Sequence, residues 1–259
     1  MITKAQIRFI RSLELKKNRD ATGCFLVEGE KMVKEALDLP EDSDFGVAMV
    51  IGTDSWFESE LPVKPGQAAE WLRVGPSELE RISLQKTPNQ VMAVIRRKAA
   101  GLFPGPFDGL FLGLDRVQDP GNVGTIIRLA DWFGLAGIIA SPDSADYFSP
   151  KVVQSSMGSI FRVKLVTADL PEFIRSLPGG FPVYATRLEG DNIYMTPLTD
   201  KGLILMGNES KGLGTGLSVM ATRGLMIPGF ASGDRKPESL NVSIAAAIVC
   251  SEFRRRHTS

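Results

Sequence analysis

Histidine is almost missing from this chain: its one copy, His257, stands two residues from the end. That scarcity leaves a Ser-His-Asp triad only a frayed tail residue to use and denies a metal site its commonest nitrogen ligand, so no metal is expected. Chemistry must rest on Arg, Lys, Asp, Glu, Ser, Asn or backbone groups. Cysteine is nearly as scarce. Cys24 and Cys250 are far apart, lack metal spacing, and read as reduced thiols. Long apolar runs are absent. The longest, residues 244–250, has seven residues, against the roughly 20 that a membrane helix requires. The N-terminus has no signal-peptide core, so a cytoplasmic protein with no membrane partner is expected. Neither G-x-G-x-x-G nor G-K-[ST] occurs, which disfavours a nucleotide-binding enzyme of the doubly wound kind. Charge of either sign is not in excess: 30 basic residues balance 30 acidic ones, which argues against a general nucleic-acid coat.

What is present is a composition of 43% apolar and 23% charged residues over 259 positions, ordinary for a globular protein with room for two domains. Residues 1–34 hold eight Lys or Arg against four acids. That excess is either a solvated helix face or a local phosphate-binding surface. Residues 1–100 read as a compact α/β unit. It has an amphipathic helix over 3–19, a strand at 24–27, a helix at 29–37 and a strand at 47–51. A loop at 62–66, a short helix at 77–82 capped by Ser77 and a strand at 91–96 follow. Two prolines and two glycines in 101–106 predict a linker. From 107 to 259 strands and helices alternate, ending in a helix over 239–254. Such alternation predicts a mostly parallel sheet covered on both faces, with ligands beyond the carboxyl ends of its strands.

Three loops of that second domain carry candidate chemistry. The first runs from Asp115 through Asp119-Pro120-Gly121 into a helix. Asn122 is read as its N-cap, and Arg128 lies opposite the buried stripe. Arg128 is either an exposed surface arginine or a fixed guanidinium facing a phosphate or ribose. The second leaves a buried strand at Met206 and runs Gly207-Asn208-Glu209-Ser210-Lys211-Gly212. Gly207 is a place where a backbone can approach a ligand closely. The third runs Ile227-Pro228-Gly229, then on to Ser239-Leu240-Asn241-Val242-Ser243. Ser239 is read as the cap of the last helix, accepting from the Val242 amide. That leaves Asn241 inside the first turn, where helix propensity gives no reason for it.

Together these segments resemble the three motifs of the SpoU (TrmH) family of SPOUT RNA methyltransferases, over about residues 107–255. The first matches Asn122 followed six residues later by Arg128. The second matches Gly207-Asn208-Glu209, and the third runs from Ile227-Pro228 to Ser239-Leu240-Asn241-Val242-Ser243. More weakly, 25–29 and 87–94 resemble the substrate-binding domain of larger members, a ribosomal-protein-like α/β sandwich. The resemblance implies a C-terminal trefoil knot, a homodimer and S-adenosylmethionine as cofactor. It implies transfer of a methyl group to a ribose 2′-hydroxyl of structured RNA, with ribosomal RNA favoured over transfer RNA by the extra N-terminal domain. By residue, it implies cofactor binding near Met206, Gly207, Ile227, Pro228 and Leu240. It makes Asn122, Arg128, Glu209, Ser239 and Asn241 the candidates for catalysis or substrate positioning. Because arginine stays protonated in proteins, holding a phosphate and stabilising the forming alkoxide suits Arg128 better than base catalysis. The link 229–238 is longer than the family's usual one. The alternative is an inactive RNA-binding member of the same fold.

Overall fold

The computed structural model describes residues 2–59, 68–98, 105–231 and 238–255. The loop expected at 62–66, positions 101–104 of the linker, 232–237 of the long third loop, and His257 lie outside the described residues. The chain divides into two compact units, 1–100 with 146–161, and 101–145 with 162–259.

The first unit contains α1 (Lys4–Ser12), α2 (Lys16–Thr22), β1 (Cys24–Glu28), α3 (Glu30–Leu37), β2 (Phe45–Gly52), α4 (Asp54–Ser59), β3 (Ala68–Arg73), α5 (Pro76–Ile82) and β4 (Val91–Arg97). Its strands lie in the order β1-β4-β2-β3. β4 is antiparallel to β1 and β2, and β3 is parallel to β2. The single helix expected over 3–19 is two. Thr3 and Gln6 form a capping box that starts α1. The chain then breaks at Leu13–Leu15, because the Arg19 guanidinium takes the carbonyls of Leu13 and Glu14 at 2.8 and 2.6 Å. Those carbonyls would otherwise have continued the helix. Arg19 is 3% exposed and also bonds the Asp146 carboxylate. Its charge is therefore spent inside the fold. Lys16 pairs with Asp20 and Lys34 with Glu30, so the N-terminal excess of basic residues is partly neutralised at the surface. α5 also begins one residue earlier than expected. Gly75, not a serine, occupies its cap, Pro76 takes the first helical position, and the Glu78 carboxylate accepts from the Gly75 amide.

The second unit holds β5 (Leu110–Leu114), α6 (Pro120–Trp132) and β6 (Gly137–Ala140). After the excursion through α7 (Pro150–Ser156) come β7 (Leu165–Thr167), α8 (Leu170–Ser176), β8 (Val183–Asn192), β9 (Gly202–Met206), α9 (Thr215–Met220), β10 (Arg223–Met226) and α10 (Val242–Arg255). Its sheet has the order β10-β8-β9-β5-β6-β7, and every pairing in it is parallel. β5, β6 and β9 are buried along their whole length. That is the physical meaning of their unbroken apolar runs: helices cover both faces of a parallel sheet. After β8 the chain comes back, and β9 is inserted between β8 and β5. α10 returns to α6, where the Arg254 guanidinium bonds the carbonyls of Phe133 and Gly134 at the C-terminal end of α6.

The stretch 146–161, read in the sequence as part of the second domain, groups with the first unit. Phe148 packs on Phe25 at 4.9 Å between ring centroids, and Phe161 packs on Phe45 at 5.6 Å. Alternation of strand and helix along the chain could not reveal this, because the pattern is the same whichever unit the segment joins.

Candidate active site

At the carboxyl ends of β5 and β9 the chain builds a hydrogen-bonded cradle. Asp115, 5% exposed, directly follows β5. One of its carboxylate oxygens accepts from Arg116 Nε at 3.0 Å, and the other from Arg116 NH2 at 2.9 Å and the Gly214 amide at 2.8 Å. This bond is the chief reason the Arg116 guanidinium is held above its ordinary pKa. Arg116 has φ +55°, a left-handed conformation that costs a non-glycine residue roughly 1–2 kcal/mol. Its amide donates to Ser141 Oγ and its carbonyl accepts from Asn208 Nδ2 at 2.9 Å, so the strained residue is tied on both sides. Asn208 Oδ1 meanwhile accepts from the amides of Ser210 and Lys211, and residues 208 and 212 exchange backbone bonds. The loop after β9 is thereby fixed against the loop after β5.

The helix that follows β5 starts at Pro120, and its cap is Asp119, whose carboxylate accepts from the Asn122 amide at 2.9 Å. The sequence reading put Asn122 at the cap. Proline, preorganised for the first helical position, moves the cap three residues earlier and frees the Asn122 side chain. Asn122 Nδ2 then donates to Glu209 Oε1 at 2.8 Å, and Asn122 Oδ1 accepts from Asn241 Nδ2 at 3.0 Å. Three residues, from the loop after β9, the first turn of α6 and the cap of α10, thus form one chain, Glu209–Asn122–Asn241.

Asn241 corrects a second expectation. α10 begins at Val242, not Ser239, and Asn241 is its cap by its hydrogen bonds. Asn241 Oδ1 accepts from the Ser243 amide at 2.9 Å, the Ile244 amide at 3.3 Å and Ser243 Oγ at 2.6 Å. Asparagine is among the best capping residues, which accounts for it at this position. Ser239 is exposed and has no hydrogen bond among the described residues. Arg128 is exposed on α6 and likewise has no hydrogen-bond or ion-pair partner among the described residues. Within one chain neither residue is drawn into the Glu209–Asn122–Asn241 group.

Gly207 is required by a close approach, but the approaching backbone is the protein's own. A Cβ at Gly207 would lie 2.4 Å from both Gly212 C and Leu213 N. Met206 is buried, Ile227 and Pro228 are half-buried, and Leu240 is exposed. The backbone groups of Gly207, Ile227 and Leu240 form no hydrogen bond among the described residues. Buried or half-buried backbone polar groups need partners, so uncommitted donors and acceptors flanked by apolar side chains suit a ligand with polar and flat apolar parts. Two cavities, of about 340 and 370 Å³, lie elsewhere. The first is beside Thr53 and Gln90, the second beside Phe107 and Phe173. The sequence reading missed Asp115, Arg116 and Asn208 as builders of the site. The signal for Asp115 and Arg116 was their place immediately after an apolar strand, and Asn208 stood inside the Gly207-Asn208-Glu209 motif without a role assigned to it.

A parallel α/β unit whose strand-end loops meet a helix cap in this way, preceded by a small α/β unit, has clear relatives. The profile of the SpoU rRNA Methylase family matches residues 109–251, and that of the MRM3-like substrate binding domain matches 4–93. The chain is 31% identical to the 23S rRNA (guanosine(2553)-2′-O)-methyltransferase RlmP of Bacillus subtilis (strain 168), over 94% of each chain. Among solved structures it is similar to a putative RNA methyltransferase of the TrmH family from Porphyromonas gingivalis. The TM-score is 0.84 and the identity 40%, over 99% of both chains. It is also similar to an AdoMet-bound rRNA methyltransferase from Sinorhizobium meliloti, with a TM-score of 0.84 and 32% identity over 100% of this chain and 97% of the other. The chain belongs to the SpoU rRNA Methylase family.

Proposed function

We propose that this protein transfers a methyl group from S-adenosylmethionine to a ribose 2′-hydroxyl of ribosomal RNA. The observation that carries the reading is the Glu209–Asn122–Asn241 chain at the carboxyl edge of the parallel sheet, next to the uncommitted backbone of Gly207, Ile227 and Leu240. The names of the relatives support it, since the B. subtilis protein is a 23S rRNA 2′-O-methyltransferase and the S. meliloti structure holds AdoMet. Nothing in the cradle favours the inactive alternative: every motif residue is present.

When bound, the cofactor supplies an activated methyl group on a sulfonium. The protein's tasks are to hold the ribose hydroxyl in line and to stabilise its oxygen as the proton leaves. Asn122 and Asn241 are fixed by their mutual bond and positioned to orient the ribose. Glu209 holds Asn122. Arg128, which stays protonated, holds a backbone phosphate and stabilises the forming alkoxide. Ser239, exposed beside the cap of α10, is a further hydrogen-bonding group for ribose or cofactor. Met206, Gly207, Ile227, Pro228 and Leu240 frame the cofactor.

The homodimer and the trefoil knot belong to the same proposal. The exposed faces of the packed pair α6 and α10 carry Trp132 at 84% and Ile244 at 52% exposure, and Leu240, just before the cap of α10, is 47% exposed. A second copy covering that face would also cover Arg128, which shares the outer face of α6 with Trp132 four residues on. The insertion of β9 between β8 and β5, followed by the return of α10 to α6, supports a knotted path. A cytoplasmic location fits an rRNA substrate. The test is calorimetric titration with S-adenosylmethionine, joined to mapping of 2′-O-methyl positions in ribosomal RNA from cells with and without the gene. Binding, and the loss of one methylated ribose, are expected. Absence of cofactor binding would leave the inactive alternative.

A further inference from the structure

The N-terminal surplus of basic residues can be sorted residue by residue into charges that are spent and charges that are free. Of the eight, Arg19 is buried and bonded inside the fold. Lys16 pairs with Asp20, Lys31 with Glu35 and Lys34 with Glu30. Lys4, Arg8, Arg11 and Lys17 are exposed and have no ion pair among the described residues.

Three of these four stand on α1 at positions i, i+4 and i+7. At 3.6 residues and 5.4 Å per turn they lie within about 60° of one another and span roughly 10 Å of the helix axis. α1 itself contains no acid. Gln6, on the side turned away from the three, holds the Glu70 carboxylate at 2.7 Å. On the neighbouring α5, the Glu78 carboxylate is taken by the Gly75 amide. Glu80 is exposed there, but it is followed directly by the exposed Arg81, so that pair adds no net charge. Arg11 NH1 reaches the Arg81 carbonyl at 3.4 Å, at the C-terminal end of α5.

Helix stability does not account for this stripe. A lysine at the first helical position faces the positive end of the helix dipole, and like charges three and four residues apart repel. Both effects oppose the folded helix. What holds α1 is its capping box and the burial of Ile10 and Leu13 in one cluster with Leu79 and Ile82 of α5. That burial leaves α1 no apolar face to insert into lipid, as a helix lying on a membrane must. A polyanion with regularly spaced charges, by contrast, relieves the repulsion and releases its own counterions.

We propose that Lys4, Arg8 and Arg11 form a track that binds backbone phosphates of the RNA substrate. Contacts of this kind position an RNA without reading its sequence. The inference rests on the RNA reading above and adds to it the surface of the first unit that holds the strand.

The test uses the full chain and two fluorescein-labelled RNA hairpins of equal length and unrelated sequence, titrated from about 50 to 200 mM KCl. Lys4→Gln, Arg8→Gln and Arg11→Gln should each reduce the slope of log K against log [KCl] by about 1, and the triple variant by roughly 2–3, alike for both hairpins. Melting temperatures of Lys4→Gln and Arg8→Gln should be unchanged or raised, and S-adenosylmethionine binding should persist in all of them. Lys201→Gln, at an exposed lysine of the second unit, should leave the slope unchanged. A triple variant with the wild-type slope, a loss confined to one hairpin, or an equal loss in Lys201→Gln would each overturn the inference. So would tighter binding of poly-L-glutamate than of either hairpin at the same salt. A wild-type chain that binds neither hairpin would remove the RNA reading together with the track. Stripe-dependent RNA binding by a protein that does not bind S-adenosylmethionine would overturn the methyltransferase reading alone.

Discussion

Asn241 does two jobs with one side chain. Its oxygen caps α10 and its nitrogen holds Asn122. Asn241→Ala should therefore lose about 1–2 kcal/mol of stability as a missing cap, measured by urea unfolding, and lower methylation beyond what that loss explains. Asn241→Ser, which restores the cap without the nitrogen, should recover the stability and not the activity. Arg128→Ala should bind cofactor normally and lose most turnover, and near-normal methylation by that variant would remove Arg128 from the mechanism. Glu28 is a residue-scale device of another kind. Burial is the main cause pushing its carboxyl above the ordinary value of 4.5, against the bonds from Ser83 Oγ and the Leu84 amide that lower it. The folded state thus holds this proton more tightly than the unfolded chain does. That contribution is complete below pH 4.5 and is lost as pH rises through the elevated value. Glu28→Gln should remove this part of the pH dependence, so the stability of the wild type relative to the variant should fall on going from pH 4 to neutrality in parallel melts.

Elements were legible where burial alone dictated them. The runs at β5, β6 and β9 could only be covered strands, and Pro150 marked the start of α7. α4 and β3 were not legible. The first is six residues, and the second, Ala-Ala-Glu-Trp-Leu-Arg, shows half-burial without alternation. The break between α1 and α2 depends on Arg19 reaching backward, which no helical wheel displays. The site was legible as three motifs and illegible in its joints, because Asn122 and Asn241 were assigned backward: one as a cap it is not, the other as a misfit it is not. The loop after β9 is held to the loop after β5 by Asn208 on the Arg116 carbonyl and by Asp115 on the Gly214 amide, and Asp115 also fixes Arg116. Asp115→Asn places an amide against the Gly214 N–H and the Arg116 guanidinium. Losing charge-assisted bonds of about 1.5–3 kcal/mol should weaken S-adenosylmethionine binding roughly 10-fold or more, while Asn208→Asp, which leaves Asp115 in place, should produce a smaller change. Equal binding by wild type and Asp115→Asn in the same titration would show that the cradle does not shape the cofactor site.

For the whole molecule, the exposed indole of Trp132 is the most direct handle on assembly. Sedimentation should show a dimer for the wild type and a monomer for Trp132→Asp, with methylation lost together with the dimer if Arg128 works only once its face is covered. A monomeric wild type would remove the dimer from the proposal. The division of the chain was only partly visible in the sequence. The glycine- and proline-rich stretch at 101–106 marked one passage between units, whereas the later return through 146–161 had no compositional signature.

That return bears on how such a protein can change by descent. Asp146 neutralises Arg19, and Phe148 and Phe161 complete the aromatic group around Phe25 and Phe45. The first unit is therefore written in two separated stretches of the gene. A single recombination at the linker would graft a foreign N-terminal half onto a segment tailored to the old one, stranding a buried arginine and opening a gap among the rings. Exchange of substrate-recognition units in this lineage would need a double exchange or compensating changes within 146–161, and the two halves are expected to have been inherited together.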